Sequence, residues 1–100
     1  MKKVWDHKGM IEKFEAHRNE ELAVPMSAYM RHQFAFLGIK TPLRKTLLKE
    51  QFSEYHLPEP ERLKEEVWKL YELPEREYQY AAIALLEKMV KHLSLADRGN

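Results

Sequence analysis

Apolar residues recur three and four positions apart along most of the chain, in runs broken by proline, glycine or asparagine, and this rhythm predicts helices rather than strands. Five helical units are expected. The first, residues 4–17, puts Met10, Ile11 and Phe14 on one face, with Gly9 as a weak point. The second, residues 20–36, follows Asn19 as its cap and sets Glu20 and Glu21 against the positive end of the helix dipole. Leu22, Met26, Tyr29, Met30 and Phe34 recur along it at helical spacing. Pro25 should bend this unit or delay its regular start. Gly38 ends the run, and Thr41-Pro42 reads as a cap followed by proline in the first turn of the next helix.

The third unit, residues 42–55, carries Leu43, Leu47, Leu48, Phe52 and Tyr55 as an apolar stripe, with Lys45 and Lys49 four apart on another face. After Leu57-Pro58-Glu59-Pro60, the fourth unit, residues 59–72, presents Leu63, Val67, Trp68, Leu70 and Tyr71 as its buried side. Leu73-Pro74 breaks the chain again. The fifth unit, residues 74–92, is the most regular, with Tyr78, Ala81, Ala82, Leu85, Leu86, Met89 and Val90 at three-four spacing. Ser94 then looks like a fresh cap. Short proline-marked turns between amphipathic helices imply an all-α fold of antiparallel helical pairs, either a bundle or a stacked solenoid, and the alanine-rich fifth helix favours close stacking. Trp5, Trp68 and Tyr71 sit among apolar positions and are expected in the core.

Composition narrows the function more than the fold. With no cysteine there is neither a disulfide framework nor a thiolate nucleophile or metal site. The start is not a signal peptide, and no segment approaches the ~18 apolar residues that a membrane span needs, so a cytoplasmic protein with no membrane partner is expected. The five histidines lie in different units without ligand-pair spacing, the glycines are isolated, and no GxSxG occurs. No metal or other cofactor is expected. The carboxylates of Glu59 to Glu61, Glu65-Glu66 and Glu72 to Glu77 are read as solvated helix faces.

Charge is where the chain becomes specific. Residues 1–50 carry ten Lys/Arg against six Asp/Glu, and residues 51–100 carry seven against ten, so a chain of net charge +1 has a positive first half. Within residues 29–49 the concentration is sharper still: Arg31, Lys40, Arg44, Lys45 and Lys49 with no acidic residue, around a Gly-Ile-Lys-Thr-Pro helix entrance. Clustered cations and free helix-start amides suit phosphates. Charge alone leaves a solubilising role open. In the sharper reading, Thr41 and the first amides of the third helix hold one phosphate while Lys40, Arg44 and Lys45 neutralise its neighbours. Tyr29 is either a core aromatic or a hydroxyl presented to the same surface.

Three motifs in order carry a family resemblance: Pro25-Met26-Ser27-Ala28-Tyr29-Met30, then Phe36-Leu37-Gly38-Ile39-Lys40-Thr41-Pro42-Leu43-Arg44-Lys45, then Leu73-Pro74-Glu75-Arg76-Glu77-Tyr78-Gln79. They resemble the N-terminal signatures of the AlkD-type DNA alkylation repair proteins over residues 20–93. The resemblance implies stacked HEAT-like helical pairs that cradle duplex DNA and a glycosylase activity releasing N3- or N7-alkylated purines. It also implies DNA-facing roles for Tyr29, Lys40, Thr41, Arg44 and Lys45. The family's catalytic aspartate, with its tryptophans, has no counterpart here: the aspartates are Asp6 and Asp97, and neither lies in that motif, nor do Trp5 and Trp68 match the cleft tryptophans. The expectation is therefore an N-terminal portion of such an enzyme, truncated after about residue 93, with DNA-binding but no catalytic residues and no turnover of its own. Self-association through the last helix is expected as well. The alternative is a non-enzymatic helical-repeat module that binds DNA or a protein.

Overall fold

The computed structural model describes residues 2–98, with side chains through Leu93. Five helices follow in order: α1 (His7–Glu15), α2 (Glu20–Tyr29), α3 (Thr41–Glu54), α4 (Leu63–Tyr71), entered through a 3-10 turn at Pro60–Arg62, and α5 (Arg76–Arg98). The described residues form no strand, only two isolated bridges, Lys3 with Tyr55 and Ala35 with Glu75. The all-α expectation holds. Several boundaries differ from those expected, each for a local reason.

Helix α1 starts at His7 rather than residue 4, because the Asp6 carboxylate accepts from the Lys8 N–H and caps it. Asn19 caps α2 as expected, accepting from the Leu22 N–H at 3.2 Å. Helix α2 continues through Pro25 but stops at Tyr29, well short of residue 36. Arg31 and His32 adopt left-handed backbone angles (φ 55° and 59°), and that reversal ends the helix where apolar spacing alone would extend it. Ser94 is not a cap: α5 runs through it to Arg98.

The core is built by the facing sides of four helices and one loop. Helix α4 folds back on α5 across a four-residue turn, and α1 packs against α3 and α4. Met10 and Phe14 of α1, Leu47 of α3, Leu70 of α4, and Tyr78, Ala81, Ala82, Leu85 and Met89 of α5 are buried together with Leu37 and Ile39 of the loop before α3. Trp5 joins them, stacked on Phe52 at 6.2 Å between ring centroids. Trp68 and Tyr71 do not. They stack on each other at 5.9 Å on the outer side of α4, 57% and 42% exposed, because Leu63, Val67 and Leu70 are the apolar residues of that helix that pack against the core. Leu86 and Val90, assigned to the buried face of α5, are likewise exposed, as is Leu43 at the start of α3.

Two carboxylates read as solvated are buried instead. Glu66 lies among Lys69, Arg62 and His7 at 3.3–3.9 Å, and Glu77 is enclosed beneath the loop that leads into α3. A buried charge is tolerated only with such partners.

Candidate nucleic-acid interface

The entrance to α3 is held from below by Glu77. Its Oε1 accepts from the Leu37 N–H at 2.9 Å, and its Oε2 accepts from Gly38 at 3.0 Å and Ile39 at 3.1 Å. Three consecutive amides converging on one oxyanion form a nest. Glu77 itself lies in the first turn of α5, where the helix dipole favours a negative charge. Two further bonds tie the loop to its surroundings, from the Asn19 N–H to the Leu37 carbonyl and from the Arg76 N–H to the Ala35 carbonyl, both 2.8 Å. Gly38 bends the backbone at φ 95°, and a Cβ there would stand 2.0 Å from the Asn19 carbonyl oxygen. Only glycine fits.

From this base α3 opens with Lys40, not Thr41, in the capping position. Thr41 is the first helical residue, and Lys40 offers no side-chain cap. The expected Thr41 cap is thereby corrected: its hydroxyl is left for other partners. Pro42 has no N–H, so the opening donors are those of Thr41 and Leu43; the next amide, of Arg44, already bonds the Lys40 carbonyl at 2.9 Å. These donors and the dipole give the helix start a positive end.

Around it lies a cleft of about 570 Å³, lined among others by Tyr29, Lys40, Thr41, Arg44 and Tyr80, with Met26, Met30 and Phe36 as apolar wall. Four of the five residues singled out from the sequence therefore meet in one place. Tyr29 is 87% exposed, so it is no core aromatic. Lys45 points elsewhere, into a separate groove between α3 and α5. Among the described residues, the ion pairs engage His7, Lys13, Arg18, Arg62 and Lys69, and no carboxylate lies within pairing distance of Lys40, Arg44 or Lys45.

Tyr80 is the residue that sequence reasoning missed. The Arg44 guanidinium lies 4.3 Å from its ring centroid and that of Arg76 lies 5.1 Å away, while Arg76 also covers Phe34 at 4.4 Å. Tyr80 thus anchors Arg44 and links α5 to the α3 entrance. The available signal was an aromatic residue off the apolar stripe of α5. Asp6 is engaged as the cap of α1, and Asp97 falls outside the described side chains. The described residues hold no cluster of three or more metal-ligating side chains, and no helix among them is long and apolar enough to cross a membrane.

Comparison with known proteins gives these features a context. A family model described as DNA alkylation repair enzyme matches residues 10–98. A solved structure described as a predicted DNA alkylation repair enzyme from Enterococcus faecalis is similar to this chain, with 48% sequence identity and a TM-score of 0.61. The match covers 68% of this chain and 32% of that one, so the chain spans about a third of that protein's length. No curated protein matches.

Proposed function

Because this chain belongs to the DNA alkylation repair enzyme family, we propose that it holds duplex DNA by the sugar-phosphate backbone at the entrance of α3. The supporting observation is the convergence of Tyr29, Lys40, Thr41 and Arg44 on one cleft at an uncapped helix start, with no carboxylate among the described residues paired to the cations. A phosphate at the helix start accepts from the Thr41 and Leu43 amides and the Thr41 hydroxyl. Lys40 and Arg44 neutralise it, Tyr29 donates its hydroxyl, and Lys45, one residue along α3, meets the neighbouring phosphate. Such contacts fix the position of a duplex without reading its sequence.

In this reading the repair chemistry is excision of N3- or N7-alkylated purines by a HEAT-like helical stack to which these helices contribute. Alkylation puts positive charge on the purine and makes it a good leaving group, so the remaining demand is to stabilise the developing sugar cation and orient a water. In this reading the chain supplies part of the cradle, and Asp6, the one aspartate among the described side chains, is engaged as the cap of α1. Binding of a labelled duplex, measured as salt is raised, tests the reading. Reversal of Lys40, Arg44 and Lys45 to Glu should abolish it, and unchanged binding would show that the entrance is not a DNA contact.

A further inference from the structure

A second concentration of positive charge lies beyond the entrance. A groove of about 720 Å³ between α3 and α5 is lined by Lys45, Lys49, Lys88 and Lys91, over Leu48 and Phe52, with Ser53 at its side. Lys45 and Lys49 are one helical turn apart on α3, and Lys88 and Lys91 are three apart on α5, so each pair shares a face. The Lys88 Nζ stands 5.7 Å from the Phe52 ring centroid. Among the described residues no acidic side chain lines this groove, and none of the four lysines makes an ion pair.

Like charges one turn apart destabilise a helix by about 0.2–0.5 kcal/mol per pair, so four lysines facing one groove repel one another weakly, and an anion joining them relieves that repulsion. The order along α3 says which anion. Arg44 lines the entrance cleft and Lys45, the next residue, lines the groove, so the two sites are consecutive on one helix. A small anion would be met by one or two cations. An array that runs from Lys40 across α3 to α5 matches a polymer of phosphates. Lysine ammonium groups are point charges without the planar fork of arginine, which suits backbone contact rather than base recognition.

We infer that the Lys45, Lys49, Lys88 and Lys91 groove is a second binding surface for the nucleic-acid backbone, extending the track that begins at the α3 entrance. The inference rests on the DNA-binding reading above. Its particular content is that Lys88 and Lys91, from the acidic second half of the chain, contact DNA as Lys45 does. Fluorescence anisotropy of a labelled duplex, recorded between about 50 and about 200 mM salt, separates the two ideas.

Each neutralised phosphate contributes about 0.9 to the slope of log K against log salt, so the Lys49→Gln, Lys88→Gln, Lys91→Gln triple variant should lower that slope by about 2.7. Circular dichroism should show unchanged helicity, because all three side chains are exposed. Lys64→Gln, an exposed lysine on α4 outside the groove, should leave the slope as it is. An unchanged slope in the triple variant overturns the groove assignment; if Lys40→Gln, Arg44→Gln weakens binding in the same assay, the entrance reading survives. A wild-type chain that binds no duplex under these conditions overturns both, and an equal loss in Lys64→Gln reduces the groove to general charge.

Discussion

Gly38 shows how much of the site depends on a single residue. Its positive φ and its close approach to Asn19 let the loop before α3 pass under α2 while its amides turn toward Glu77. Gly38→Ala forces a Cβ into backbone that cannot give way and a conformation that L residues avoid, so a loss of about 1–3 kcal/mol or more is expected. Urea denaturation checks it; a variant as stable as wild type would show that the turn is not constrained. The sequence made Asn19 legible as a cap, since it acts through local backbone chemistry, whereas Gly38, read as the end of the second helix, lies in the loop beyond it because α2 already stops at Tyr29. Trp68, Tyr71 and Glu77 were misread because their fate is decided by neighbours distant in sequence. A tryptophan at helical spacing is buried only if another helix arrives to cover it, and an acidic run is solvated only if no amides converge on one of its members.

At the level of elements, α3 and α5 share the work of the entrance. Helix α3 supplies the positive end, while α5 supplies Glu77 beneath the loop and Tyr80 beside Arg44. Glu77→Gln keeps the shape but replaces one acceptor oxygen with an NH2 group that faces backbone donors. Leaving a buried donor unpaired costs about 1–3 kcal/mol, so stability should fall by about that amount. DNA affinity should fall with it, although Glu77 is buried and faces no ligand. Retention of both stability and affinity in this variant would contradict the bracing role. Helix order and type were readable from apolar periodicity because it reports each helix face directly. The end of α2 was not, because Arg31 and His32 carry no glycine-like mark of their left-handed turn.

For the whole molecule, extending 49 × 27 × 22 Å, the positive surface along α3 and one flank of α5 is balanced by an apolar stripe on another flank of α5. Ile83, Leu86, Val90 and Leu93, at alternating three- and four-residue spacing, are 38–57% exposed, as a coiled-coil seam would be without its partner. One use of such a stripe is pairing with a second copy of the chain. Sedimentation should show a concentration-dependent dimer that Leu86→Glu, Val90→Glu disperses; a wild-type monomer at high concentration would count against this use of the stripe. The charged surface is the one proposed above to hold the DNA backbone. Its most direct measurement is the affinity of the chain for a labelled duplex at low salt, compared with that of the Lys40→Glu, Arg44→Glu, Lys45→Glu variant. Salt-sensitive binding by the wild type and none by a folded variant are expected, and equal affinities for the two would show that the α3 entrance does not hold DNA.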